Sequence, residues 1–353
     1  MNLDITNNNP ICIIRVDGHS EVGFGHLSRT KTIAESLQKE DIRCIFAITE
    51  KTISSSANAI ISRFETIALR GNESLASKLT KNRTPAPAVL LIDHYGDGRE
   101  ELLDSYFSDT LRVLIDDTSF HNEFCDLFIN PNGFPNTSHE VAGCSLFGPK
   151  YMPVSENIAS LAGTWKANHT LSKPPICLVS LGATDPNAIS IEILNSLSKI
   201  EVSRKFEFKI LLSKASKTLA HTRDFMSTLQ PRLNLKLISN KVDLSQLYVQ
   251  AHCCIGASGV SAWERAIVGL PCALVLTASN QKIIKDYLTE QKAVFPIEKL
   301  NSKQLNLKLE RFLELAFSNA PEFLAISNKS KKLLDGKGAR RISNSIAARV
   351  QKS

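Results

Sequence analysis

The sequence predicts an α/β protein of two doubly wound, Rossmann-like domains facing each other across a cleft. Three observations carry that expectation. Short β-branched or leucine-rich runs alternate with helix-length amphipathic segments, the pattern of parallel sheets covered by helices on both faces. The alternation lapses between 153 and 175, where Pro153, Gly163, Pro174 and Pro175 punctuate a polar stretch. At 353 residues the chain is also long for a single core. The expected division is an N-terminal domain over 1–152, a linker over 153–175 and a C-terminal domain over 176–353 that ends in a helix.

In the first half, strands are expected over 11–16, 43–48, 88–92, 111–115 and 126–129. The run Ile11-Cys12-Ile13-Ile14-Arg15-Val16 reads as a buried strand, and Leu27 to Leu37 as an amphipathic helix with Leu27, Thr30, Ile33, Ala34 and Leu37 on one face. Between them lies Gly23-Phe24-Gly25-His26. Glycines there let the backbone approach a ligand closely, and the helix start offers N–H groups that favour anions. His26 falls in the first turn, where the dipole disfavours imidazolium and leaves a neutral proton acceptor. A plain turn with a surface histidine is an equally good reading of those four residues. Further on, Asp93-His94-Tyr95-Gly96 follows one strand and Asp116-Asp117 another. Site groups and turn residues fit the two aspartates equally well, whereas His94 and Tyr95 are poor turn formers.

In the second half, strands are expected over Ile176–Leu181, Phe208–Leu212, Leu235–Ile238, Cys253–Ile255 and Cys272–Val275. Gly182-Ala183-Thr184-Asp185-Pro186 follows the first of these, a second strand–helix turn suited to an anion. Ser258-Gly259-Val260-Ser261 opens another helix, where a diphosphate would rest on N–H groups with Ser258 and Ser261 as hydroxyl donors. Glu264, one turn on, is placed to take two ribose hydroxyls or is simply a helix-start acid. Ala278-Ser279-Asn280-Gln281 completes the same wall.

Composition narrows the partners. The net charge of +7 suits a phosphate-bearing ligand, but the basic residues are scattered and aromatics are only 7%, against nucleic-acid binding. The eight cysteines form no CxxC, and all but Cys144 lie in or beside apolar runs, as buried thiols of a reducing compartment do. The polar start MNLDITNNNP and the absence of a long apolar run point to a cytoplasmic chain with no membrane insertion. No metal-ligand spacing and no GxSxG element occurs.

In order along nearly the whole chain stand RVDGHSEVGFGHLSR at 15–29, IDHYG at 92–96, IDD at 115–117, FGPKY at 147–151, SLGATDP at 180–186, GASGVSAWE at 256–264, SNQ at 279–281 and DGKGARR at 335–341. This set resembles the hydrolases that remove UDP from UDP-2,4-diacetamido-2,4,6-trideoxy-β-L-altropyranose in pseudaminic acid biosynthesis, a family related in fold to MurG. The resemblance implies the two-domain GT-B architecture and metal-independent, cofactor-free attack of water at the anomeric carbon with inversion. It implies His26 as general base and Glu264 as ribose ligand, with the loop Ser258, Gly259, Val260 and Ser261 on the diphosphate. By the same motifs, Asp17, Gly23, Gly25, Arg29, His94 and Tyr95 fall on the sugar side, and Gly182, Thr184, Asn187, Asn280 and Gln281 on the nucleotide side. The chain departs from the family at Gly182-Ala183 and Ser258-Gly259-Val260, where it usually has Gly-Gly and Gly-Gly-Ser, and at Ala188 and Ser155, where asparagine and arginine are common. A monomer acting on a small nucleotide sugar is expected. A glycosyltransferase of the same fold is the alternative enzyme, although no continuous apolar or basic patch precedes residue 150 to meet a membrane-bound acceptor. A catalytically reduced binding protein is the other alternative, against which His26 and Glu264 both stand.

Overall fold

The computed structural model describes residues 9–19, 24–94, 97–116, 124–133, 145–167, 173–239, 243–298 and 302–351. It divides into two compact units, Met1–Ser155 with Lys337–Ser353, and Glu156–Gly336.

The first unit holds a seven-stranded sheet: β1 (Ile11–Val16), β2 (Arg43–Thr49), β3 (Glu65–Leu69), β4 (Val89–Asp93), β5 (Leu111–Ile115), β6 (Leu127–Asn130) and β7 (Ser145–Phe147), in the order β3-β2-β1-β4-β5-β6-β7. Each pairing is parallel. The central strands are apolar on both faces because both faces are covered, which is why they read as continuous runs rather than alternating ones. On one face the helix Gly25–Gln38 buries Leu27, Ile33, Ala34 and Leu37. The order reverses between β1 and β4, and ligands of open parallel sheets bind at the carboxyl ends of strands beside such a reversal.

The second unit repeats the plan with six strands: β8 (Ile176–Ser180), β9 (Glu207–Leu211), β10 (Asn234–Ile238), β11 (Cys253–Ala257), β12 (Cys272–Val275) and β13 (Phe295–Ile297), ordered β10-β9-β8-β11-β12-β13. Its reversal lies between β8 and β11, so the turns after Ser180 and Ala257 flank it.

The domain limits differ from those expected in two places. The C-terminal helix Gly338–Val350 belongs with the first unit, not the second. Ile342, Ile346 and Ala347 share one core with Leu27, Ile33 and Leu37, and Ser36 Oγ meets Ser343 Oγ at 2.8 Å. Gly338 packs so tightly that a Cβ there would stand 2.1 Å from the Met152 carbonyl oxygen. The stretch expected as a linker is also not a free tether where it is described. Ile158 and Trp165 are buried, Trp165 Nε1–H donates to the Ala251 carbonyl at 3.0 Å, and the Gly163 and Trp165 N–H groups bond the end of the helix Val260–Val268. Burial of the indole outweighs the loop-like composition around it. Among the described residues, no helix is long and apolar enough to cross a membrane.

Candidate active site

At the first reversal the polar residues are bonded to one another. Asp93 ends β4 opposite Val16 of β1, and it is 1% exposed. His26, second residue of the helix after β1, brings Nδ1 to 2.6 Å from Asp93 Oδ1. Arg29, one turn along the same helix face, donates from Nε to Oδ2 and from Nη2 to Oδ1, both at 2.6 Å. Nη2 also lies 3.1 Å from His26 Nδ1, so both donors converge on one carboxylate oxygen. A carboxylate at 2.6 Å requires a proton on Nδ1, which assigns the lone pair of the neutral imidazole to Nε2. Burial alone would raise the Asp93 pKa, but Arg29 and then His26 outweigh it and hold the carboxyl well below the usual range.

A second carboxylate crosses the first. Asp17, just past β1, takes His94 Nε2 at 3.0 Å on Oδ2, together with Arg15 Nη1 at 2.8 Å. Its Oδ1 accepts from the Thr49 N–H and hydroxyl, both at 2.8 Å, and from the Thr52 hydroxyl at 2.7 Å. Burial opposes this charge too, and His94, Arg15, Thr49 and Thr52 together push the pKa well below the ordinary value. β5 ends in a third buried aspartate, Asp116, whose Oδ2 lies 2.8 Å from Arg99 Nη2. Three neighbouring strands thus end in aspartates paired with arginines, and two of these also hold a histidine.

Two of the residues expected on the sugar side are buried. Asp17 is 4% exposed and Arg29 2%, and Asp17 bonds His94 while Arg29 bonds Asp93. His94 sits between Asp17 and Gly98, where an added Cβ would meet its ring at 3.0 Å. Gly25 is exposed at the helix start. Gly23, Tyr95 and Asp117 lie outside the described residues.

At the second reversal the two strand–helix turns differ. Gly182 has φ of +106°, which only glycine adopts without strain, and it is exposed with Asn187. Asp185 turns inward, 1% exposed, and its oxygens accept the Ile189 and Ser190 N–H groups, both at 2.9 Å. The helix Ile189–Leu197 is therefore capped by the chain's own carboxylate, not open to an anion as expected. Thr184 contributes its carbonyl to the Ser216 hydroxyl.

The helix Val260–Val268 begins without a side-chain cap at Gly259, so its first N–H groups face outward from the fold's own bonding. Val260 and Ser261 are half-buried, and Gln281 approaches Gly259 while its Oε1 accepts the Thr277 hydroxyl at 2.9 Å. Asn280 lies in the same short turn, Ser279–Gln281. Ser258 departs from expectation: it is fully buried, and both its N–H and its hydroxyl donate to the Val275 carbonyl, at 3.1 and 2.7 Å. It anchors the loop and has no donor left for a phosphate. Glu264 accepts from the Tyr248 hydroxyl at 3.2 Å, and burial pushes its carboxyl above the usual value.

Asp93 stands in the strand-end motif read above, although no role for it was assigned; Tyr248 and Arg265 were not expected at the site. Asp93 carried a signal, a lone acid closing a buried strand one residue before His94. Arg265, 1% exposed, donates to the Ala257 carbonyl and the Ser261 hydroxyl from below the loop. Its partners lie four and eight residues back, but a lone arginine in a helix does not by itself announce that it turns under the preceding loop.

No family model matches the chain. It is 23% identical over 346 residues to the spore coat polysaccharide biosynthesis protein SpsG of Bacillus subtilis, covering 93% of this chain and 95% of that one. Among solved structures, Acinetobacter baumannii MurG superposes with a TM-score of 0.65 at 13% identity, covering 97% and 99% of the two chains. The S. aureus MnaA–UDP co-structure superposes with 0.66 at 10% identity, covering 97% of each. Identities that low speak to architecture, and together with the two parallel sheets they give the chain the GT-B fold.

Proposed function

We propose that the chain is a nucleotide-sugar hydrolase that breaks the anomeric C–O bond of a UDP-diacetamido-trideoxyhexose, releasing UDP and free sugar for nonulosonic acid biosynthesis. The observation that carries this reading is the His26–Asp93–Arg29 arrangement at the first reversal. Asp93 holds the imidazole with its lone pair on Nε2 and stabilises the imidazolium formed when Nε2 takes a proton from water. Arg29 pairs with Asp93 through Nε and Nη2 and so fixes the carboxylate that orients the ring. The water oxygen bonds the anomeric carbon as the C–O bond opens, and the electron pair leaves on the β-phosphate oxygen. The loop Gly259–Ser261 is assigned that diphosphate, because outward N–H groups at a helix start stabilise a developing anion. Glu264, oriented by Tyr248, is assigned the ribose hydroxyls. The end-to-end likeness to a polysaccharide biosynthesis protein and the UDP bound in a structure of the same fold support the choice of ligand class.

The test is turnover of UDP-2,4-diacetamido-2,4,6-trideoxy-β-L-altropyranose, with UDP-N-acetylglucosamine beside it, in ¹⁸O-labelled water. Release of UDP with the label on the sugar, inverted at the anomeric carbon and insensitive to EDTA, is expected. Label in the UDP phosphate would refute C–O cleavage. Release only after adding an acceptor sugar would make the chain a glycosyltransferase, with His26 activating a hydroxyl instead of water.

A further inference from the structure

Beneath the loop assigned to the diphosphate lies a buried cation, Arg265. The Arg265 guanidinium is 1% exposed. Nη2 donates to the Ala257 carbonyl at 2.6 Å and Nη1 to the Ser261 hydroxyl at 3.1 Å, while Nε is buried without a hydrogen-bond partner. Among the described residues, no carboxylate forms an ion pair with it. The fold makes room for it deliberately: a Cβ on Gly256 would stand 2.7 Å from both Cζ and Nη2. Cys272, Cys254, Tyr248 and Glu264 lie close enough to favour the charge, yet Nε stays unbonded, and a packed apolar side chain in such a place often stabilises a protein. Its placement makes sense when an anion arrives close by, on the outer side of the loop whose inner side it grips.

We infer that Arg265 is a positioning residue for the nucleotide diphosphate: it fixes the Ala257–Ser261 loop from below and lends it positive charge, without touching the phosphates. The inference rests on the reading that this loop takes UDP and adds the source of its selectivity for charge. Bonding to Ala257 and Ser261 holds the two ends of the turn, so the Gly259 and Val260 N–H groups keep their direction. The guanidinium and the start of the nine-residue helix Val260–Val268 then act with the same sign on whatever rests there.

A structural role alone would weaken all ligands alike, whereas this role predicts a selective loss. Calorimetric titration of the parent and of Arg265→Gln with UDP and with uridine separates them. Gln keeps a donor for the loop but removes the charge. UDP affinity is expected to fall by about tenfold or more, the scale of one charge interaction inside a protein, with uridine changed by less than about twofold. Arg265→Lys should lose less UDP affinity than Arg265→Gln. Should Arg265→Gln not fold, Gly256→Ala takes its place, since the new methyl displaces the guanidinium, and the same selective loss is expected. Equal losses for UDP and uridine, or parent-like UDP binding by a folded Arg265→Gln, would overturn the inference while leaving the loop assignment standing. A parent that binds UDP no tighter than uridine would overturn the loop assignment itself, and the inference with it.

Discussion

At the reversal between β1 and β4 buried carboxylates are bonded to arginines and histidines; at the reversal between β8 and β11 the groups are backbone N–H groups, hydroxyls, the Asp185 and Glu264 carboxylates and one buried guanidinium. The first arrangement suits proton transfer, because two histidines are held in defined orientations by carboxylates that stay charged. The second suits anion binding, because its donors point away from the fold and its cation lies underneath. Even within the second unit the two strand–helix turns diverge: Asp185 fills one helix start, whereas Gly259 leaves the other uncapped. Two copies of one topology thus carry different chemistry, set by which residue occupies the few positions past each central strand.

The division is broken most directly at Asp93. Asp93→Asn removes the acceptor that fixes the His26 tautomer, and turnover is expected to fall by roughly 10²–10⁴-fold, as for loss of a general base. UDP affinity, measured by calorimetry, should stay near that of the parent, because those donors belong to the other unit. A large loss of UDP binding with intact turnover per bound substrate would reverse the assignment of roles.

Asp17 tests whether the second carboxylate is scaffold. Removing one partner of a buried ion pair costs about 3–5 kcal/mol, so Asp17→Asn should lower the urea midpoint markedly at pH 7. The folded pKa of Asp17 is depressed, so its contribution is present above the ordinary carboxylate value of about 3.9 and is lost as pH falls through that value towards the folded one. The gap between parent and variant should therefore narrow as pH is lowered from 7 to 3. A gap that persists unchanged in acid would show that the charge is not what stabilises the strand ends.

Much of this was legible in the sequence, and what was not has physical reasons. The ten strands expected from apolar runs are all present, and most are central parallel strands buried on both faces. β3, β7 and β13 are short edge strands of three to five residues, mostly half-buried, such as Ser145-Leu146-Phe147; the edge strand β10 was found because its apolar run is more regular. His26 and Glu264 were placed correctly at helix starts, since strand–turn–helix punctuation is local. The partners that define them, Asp93 and Tyr248, arrive from elsewhere in the chain, 67 residues from His26 and 16 from Glu264. Ser258 misled because a serine in a glycine-rich turn looks like a phosphate donor, and only the neighbouring β12 carbonyl reveals its use.

On the binding side, Glu264→Ala removes the charge-assisted hydrogen bonds proposed to the ribose, each contributing about 1.5–3 kcal/mol. UDP and uridine should weaken together, since both carry the ribose, which separates this residue from Arg265. Tyr248→Phe should reproduce the effect in reduced form, because the ring stays packed while the donor to Glu264 is lost. If Glu264→Ala binds uridine like the parent, the carboxylate is only a helix-start acid.

The smallest effect is expected at Asp185, and it bears on the comparison of the two turns. Its carboxylate satisfies two N–H groups of the helix Ile189–Leu197, so Asp185→Ala should cost about 1 kcal/mol of stability, the usual value of a helix cap, read as a small drop in thermal midpoint. UDP affinity should be unchanged or slightly higher, because one negative charge leaves the neighbourhood of the β8/β11 reversal and two N–H donors are freed. Added salt would screen the repulsion being relieved, so any gain in affinity should shrink as ionic strength rises. A tenfold loss of UDP binding in Asp185→Ala would instead mean that the Gly182–Asn187 turn, not the Gly259–Ser261 loop, holds the nucleotide, and that the carboxylate cap is what shapes it for that purpose.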